Sequence, residues 1–247
     1  MKILPIEKVR EADAYTIKNE PIASIDLMER AATQLFKWIK KNIPKSKKIS
    51  VICGLGNNGG DGLALARLLS DNSYKVEVLI IRFSEKSSKD FDINLERLLK
   101  STYVKAFEIK KDQVIPDMKD KEIIVDGIFG SGLSKPVEGF IANVIDNINN
   151  SQAEVIAIDV PSGLFADKSN AGLKGSIVNA DHTLSFQFPK LSFLFAENAK
   201  YIGKWHILSI GLHKDYIDEV EVKDFLVQKK DCINHLKLRN KFDHKGH

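Results

Sequence analysis

The chain has 247 residues, 43% of them hydrophobic, and a formal net charge of +4, enough apolar material for one α/β domain of ~200 residues with an appendage. Its lysines gather at 37–48 and 229–245 and form no basic stripe interleaved with aromatic side chains, which argues against nucleic acid as a partner. Cys53 and Cys232 make neither a disulfide framework nor a C-x-x-C site, the N-terminus lacks the apolar core of a signal peptide, and no apolar run approaches the ~20 residues of a membrane span, so a cytoplasmic protein with no membrane partner is expected.

In chain order, residues 6–18 and 24–41 read as helices, the second because Met28, Ala31, Ala32, Leu35, Phe36 and Ile39 recur at three- and four-residue steps. A strand pattern at 48–53 follows, then a helix at 60–71, a strand at 75–81 and a helix at 88–100. Further strands fall at 122–126, 155–159, 181–186 and 204–209, with a helix at 138–149 and fainter strand patterns at 103–108 and 220–227. Buried apolar strands alternating with amphipathic helices imply an α/β fold: a Rossmann-like, doubly wound, mostly parallel sheet covered on both faces, preceded by an N-terminal helical extension.

The strand at 48–53 runs into Gly54-Leu55-Gly56-Asn57-Asn58-Gly59-Gly60-Asp61-Gly62. The spacing Gly54-x-Gly56-x-x-Gly59 suits a tight turn whose backbone N–H groups meet a phosphate at a helix N-terminus. A Walker-type loop is excluded, because Gly60 and Asp61 stand where lysine and serine or threonine are required. Amides, a carboxylate and three Cβ-less positions in Asn57, Asn58, Gly59, Gly60, Asp61 and Gly62 are more polar than a simple turn demands.

Ligands of such sheets lie outside the carboxyl ends of the strands, where the topology reverses. Two more strands deliver an aspartate to that rim, Asp126 and Asp159, each followed by glycine and serine. Either can be a turn cap. Two carboxylates beside a phosphate cradle would repel an anionic nucleotide unless one binds a cation or a ribose, and Asn58, Asp126 and Ser162 offer hard oxygen donors for such an ion. A second loop, Gly130-Ser131-Gly132-Leu133-Ser134-Lys135-Pro136, is either a connection or a second phosphate site. Lys190 reads either as a surface lysine or as a partner for phosphate or carbonyl. The histidines form no zinc-like cluster, and Ser162 lacks the flanking glycine of a hydrolase nucleophile turn.

Taken with Met28-Glu29-Arg30-Ala31-Ala32, Ile158-Asp159-Val160-Pro161-Ser162-Gly163-Leu164 and Ala180-Asp181-His182-Thr183 leading to Lys190, these motifs resemble the NAD(P)H-hydrate epimerase family, also called the YjeF N-terminal domain. The resemblance covers roughly residues 1–215, with small departures at Leu55 and at Asp167-Lys168-Ser169. It implies an isomerase that interconverts the R and S forms of hydrated NADH and NADPH, in which a hydroxyl sits on carbon 6 of the nicotinamide ring. It further implies nucleotide contacts at Asn57 to Asp61, at Gly130 to Pro136 and at Asp159, and potassium ligands at Asn58, Asp126 and Ser162. Inversion at carbon 6 needs a positioned acid or base. Asp159 is expected in that role, with Asp61 as its substitute and Lys190 giving electrostatic help.

Residues 1–221 are thus expected to form the epimerase domain, and 222–247 a linker and the start of a truncated C-terminal domain. The ending Arg239 to His247 resembles the opening of an ADP-dependent NAD(P)H-hydrate dehydratase, so a fused bifunctional protein, assembled as a homodimer or higher homo-oligomer, is expected. Two rival functions stay open at this point. A nicotinamide-dependent dehydrogenase fits the glycine spacing, although the strand at 75–81 ends in Arg82 and Phe83 without the acidic residue that would bind ribose. A catalytically silent, dimerising interaction module is the other.

Overall fold

A computed structural model describes residues 1–100 and 104–233. In chain order these form β1 (Lys2–Ile3), α1 (Ile6–Asn19), α2 (Ser24–Asn42), β2 (Lys48–Cys53), α3 (Asn57–Asp71), β3 (Lys75–Arg82), α4 (Lys89–Leu99), β4 (Lys105–Lys110) and β5 (Ile123–Gly127). Then come α5 (Phe140–Asn149), β6 (Glu154–Ile158), β7 (His182–Phe186), α6 (Ala199–Ile202), β8 (Lys204–Leu208), α7 (Lys214–Glu219), β9 (Asp224–Phe225) and α8 (Lys229–Ile233). The start of the expected strand at 103–108 and the segment Arg239 to His247 lie outside the described residues.

Seven strands form one sheet in the order β4-β3-β2-β5-β6-β7-β8, with every neighbouring pair parallel. Successive side chains leave a strand on opposite faces, so Val51 and Ile52 serve different cores. Val51, Val78, Val125 and Ile156 pack with Leu35, Ile39, Leu63, Phe91 and Leu98 of α2, α3 and α4. Ile52, Leu79 and Ile124 pack with Val144, Ile145 and Ile148 of α5. Burial on both faces explains why these strands read as unbroken apolar runs, and each fully buried Ile or Leu contributes about 1.5–3 kcal/mol. The chain moves from β2 toward β4 on one side and from β5 toward β8 on the other, so the topology reverses between β2 and β5. That reversal sets the crevice at their carboxyl ends.

Two differences from the sequence reading bear on the site. The helix expected from residue 60 already begins at Asn57, because Gly59 fits against the Gly54 carbonyl so closely that a Cβ there would lie 1.9 Å from its oxygen. The faint strand at 220–227 reduces to β9, which pairs antiparallel with β1, a two-residue strand that carries no periodicity to read. The N-terminal extension is fastened at several points. Pro5 has no side-chain donor or acceptor to cap α1, and Asp167 does so from a distance, its Oδ2 accepting from the Ile6 N–H at 2.8 Å. Ala12 is buried among Leu4, Leu27, Phe188 and Leu212, and the Thr16 hydroxyl oxygen accepts from the His213 N–H at 2.9 Å. Among the described residues, no helix is long and apolar enough to cross a membrane.

Candidate active site

A cavity of about 680 Å³ opens at the carboxyl ends of β2, β5 and β6. The β2–α3 turn contributes Leu55, Gly56, Asn57, Asn58 and Asp61; the segment after β5 contributes residues 128–135; and Asp159 enters from the end of β6. Lys190 and Gln187 line it from beyond β7. The first hydrogen bond within α3 runs from the Gly60 N–H to the Gly56 carbonyl at 3.0 Å. The amides of Asn57 and Asn58, in the first helical turn, therefore have no acceptor inside the helix, and the positive end of its dipole lies at the cavity, an arrangement that favours an anion.

Of the expected nucleotide-contacting residues, Asn57, Asn58, Asp61, Gly130, Ser131, Gly132, Leu133, Ser134, Lys135 and Asp159 line this one cavity. Gly59, Gly60 and Pro136 do not. Gly59 meets Gly54, Gly60 lies against the Met28 sulfur, where a Cβ would stand at 2.8 Å, and Pro136 lies beside Gly175. These three positions hold the turns closed from behind.

Asp159 sits in the left-handed region with φ +62°, as does Gln187 with φ +56°. Such backbone costs on the order of 1–3 kcal/mol for a non-glycine residue and persists where the surroundings enforce it. The Asp159 carboxylate meets the Lys190 ammonium at 2.8 Å, accepts from the Ser131 N–H at 3.3 Å and accepts from the Ser185 hydroxyl at 3.4 Å. Lys190 is 1% exposed, so it is no surface lysine. Burial works against ionisation of Asp159, but the Lys190 charge and these hydrogen bonds outweigh it and hold the carboxyl below its ordinary range. Asp61 goes the other way, pushed far up by burial and by the charges of Asp159, Asp13 and Asp90.

Asp126 is wholly buried behind this wall. Its oxygens accept from the Ser162 N–H at 2.8 Å, the Ser162 hydroxyl at 2.6 Å and the Ile128 N–H at 3.1 Å. Burial nevertheless pushes the carboxyl up to about 6, and no side-chain cation among the described residues offsets it. The Phe129 N–H donates to the Ser162 hydroxyl at 2.8 Å. The Asn58 Oδ1 faces Gly130, where a Cβ would stand 3.1 Å away, while its Nδ2 is buried without an acceptor. One carboxylate, an amide oxygen and a hydroxyl suit a singly charged cation. No cluster of three or more His, Cys, Asp or Glu among the described residues suits a transition metal. The His182 Nδ1 and His206 Nε2 do lie 3.2 Å apart on adjacent strands, beside Trp38 and away from this cavity's lining.

Sequence reasoning missed two walls of the cavity. Val9, Arg10 and Asp13 line it from a single face of α1, at positions i, i+1 and i+4. Phe83, with its ring 5.4 Å from that of Phe129, and Ser84, Lys86, Ser87 and Ser88 close another side. The signal for the first wall lay in two charges one turn apart on a short helix, which reads equally as a solvated face. Arg82, at the end of β3, is occupied by Glu108 at 2.5 Å and does not face the cavity.

The family described as YjeF-related protein N-terminus matches residues 24–192. The NAD(P)H-hydrate epimerase of Oenococcus oeni is 37% identical over 203 residues, covering 82% of this chain and 93% of that protein. The NAD(P)H-hydrate epimerase of Lentilactobacillus buchneri is 34% identical over 212 residues, covering 85% of this chain and 95% of that protein. The bifunctional NAD(P)H-hydrate repair enzyme Nnr of Dictyoglomus turgidum is 31% identical across 100% of this chain, which corresponds to 48% of its own length. In fold, the chain is similar to the crystal structure of the yeast protein ynu0, YNL200c, with a TM-score of 0.74 at 22% identity, covering 94% of this chain and 98% of that one.

Proposed function

This chain belongs to the YjeF N-terminal family of NAD(P)H-hydrate epimerases, and from that premise we propose that it interconverts the R and S forms of hydrated NADH and NADPH in the cavity at the ends of β2, β5 and β6. The observation that carries the reading is the convergence of the α3 amides, the loop 130–135 and the Asp159–Lys190 pair on that one space. Amides at a helix N-terminus and Ser131 to Lys135 suit the two phosphates of a dinucleotide. Asp159, held ionised, suits removal of the proton from a hydroxyl on carbon 6, with Lys190 steadying the charge. Epimerisation leaves the redox state of the ring untouched. The test follows one hydrate epimer by proton NMR: its conversion to the other by the purified chain is expected, and a folded, nucleotide-binding chain that leaves it unchanged overturns the reading.

Potassium belongs to the same proposal. Asn58, Asp126 and Ser162 would hold the ion, supported by the Asp126 carboxylate with no side-chain cation beside it and by the Asn58 Oδ1 turned toward Gly130. When bound, it would neutralise Asp126 and stiffen the turns after β5 and β6. We also assign residues 1–221 to the epimerase unit and regard the chain from 222 as leading toward a fused dehydratase. Similarity over the whole chain to a bifunctional repair enzyme of about twice its length supports this, and the mass of the native product tests it. A cytoplasmic setting is supported by two free cysteines, Cys53 buried and Cys232 exposed.

A further inference from the structure

Three carboxyls share the cavity, and among the described residues only Asp159 forms an ion pair. Asp13 of α1 and Asp61 of α3 are both pushed up, with burial as the main cause and the negative charge of Asp159 next. For neither does a protein hydrogen bond among the described residues offset that cost. A half-buried carboxyl that lines a cavity without a hydrogen-bond partner in the protein is placed where a ligand can use it. Its placement is deliberate in physical terms: α1 is capped by Asp167, held through Ala12 and tied to His213, so the Val9, Arg10 and Asp13 face is fixed against the cavity.

A carboxyl kept protonated near one kept ionised supplies acid and base to one substrate at one pH. The two candidates for the acid differ. Asp61 is almost fully enclosed behind the first turn of α3, whereas Asp13 stands more open to the cavity on the α1 wall, its carboxyl pushed up to about 6 by burial and by the charge of Asp159. The other charged groups lining the cavity are Arg10, Asp61, Lys86, Lys135, Asp159 and Lys190.

We propose that Asp13 is a second catalytic residue, which protonates the ring nitrogen N1 of the hydrate while Asp159 takes the proton of the 6-hydroxyl. This rests on the reading of the chain as an epimerase of hydrated cofactors. The O–H electron pair becomes the second bond of a carbon 6 aldehyde, the C6–N1 bond breaks with its pair going to nitrogen, and N1 receives the Asp13 proton. Rotation about C5–C6 then presents the other face of the aldehyde. The N1 lone pair adds back to carbon 6 as Asp13 recovers its proton, and Asp159 returns its own to oxygen. No atom or electron is gained or lost, and no co-reactant is needed.

The experiment compares the full chain with Asp13→Asn and Asp13→Glu, starting from one pure epimer of NADPH hydrate, by proton NMR between pH 5 and 9. Wild-type kcat/KM is expected to fall as pH rises above about 6. Asp13→Asn should lose about 100-fold or more in kcat and lack that alkaline limb, while its calorimetric affinity for the hydrate stays within about threefold. Asp13→Glu should restore part of kcat with the limb displaced. An Asn variant that epimerises within a few-fold of an active wild type overturns the role of Asp13 alone. A wild type that binds the hydrate and does not epimerise it takes down the epimerase reading, and this role with it. Should the Asn variant not fold, the Glu variant decides: an alkaline limb identical to wild type overturns the proposal.

Discussion

Lys190 and Asp159 form an ion pair of 2.8 Å in which the lysine is 1% exposed, so each is the other's compensation for burial. Replacing Lys190 by Met leaves a buried carboxylate alone, which costs about 3–5 kcal/mol. The sign with pH follows from Asp159 lying below its ordinary 3.8 in the folded protein. Its contribution is complete above 3.8 and is lost as pH falls through the folded value. Urea unfolding should therefore show a gap between wild type and Lys190→Met that is widest at neutral pH and shrinks below 3.8. A gap independent of pH contradicts the pairing.

Asp13 has the opposite sign. Its folded value of about 6 exceeds the ordinary 3.8, so the folded state binds more protons between these values and stability falls as pH rises through that window. Asp13→Asn should remove the slope and be more stable than wild type at pH 7, by about 1–2 kcal/mol. Calorimetric Tm values at pH 4 and 7 check this. A variant that is less active yet more stable is the mark of a group kept for chemistry.

Two glycines of the first turn should behave differently. A Cβ on Gly59 would stand 1.9 Å from the Gly54 oxygen, and backbone cannot step aside cheaply. Gly59→Ala should lose about 1–3 kcal/mol and most of its affinity for nucleotide. Gly56→Ala meets nothing within 4 Å and should keep its stability. Thermal melts and calorimetry with NADPH hydrate check these outcomes, and equal losses of stability from the two substitutions would contradict the packing.

Potassium should raise Tm and lithium should not. A ligand at about 100 times its Kd stabilises by about 2.7 kcal/mol, which in a chain of this size is a shift of several degrees. Asp126→Asn should abolish the response. Equal shifts in wild type and variant would remove Asp126 from the cation site.

What the sequence made legible follows from how far each signal reaches along the chain. Asp126 and Asp159 were readable because a strand's last residue is fixed by its own apolar run and the rim by the parallel topology. The partnership of Asp159 with Lys190 was not, since it depends on the path after β7 and on a left-handed backbone that no local pattern announces. Asp13 was hidden for a related reason. The stripe of α1 that reads as core is Ala12 and Thr16, and one residue further round the helix a carboxyl has the same pattern whether it meets water or a ligand. The turn glycines were read as nucleotide contacts, and for Gly59 and Gly60 their closest partners are Gly54 and Met28, a distinction only three-dimensional distance can make.

The Met1 ammonium donates to the Leu226 carbonyl at 2.8 Å, the Leu226 N–H donates back to Met1 at 2.8 Å, and Lys2 crowns the end of α7 through three carbonyls. This clasp is remote from the catalytic groups, but it fastens the root of the helix that carries Arg10 and Asp13. Shortening the polypeptide at residue 221 would strip β9 and the Leu226 half of this clasp from the root of α1, so engineers trimming the enzyme to a minimal catalyst should spare everything through Leu226.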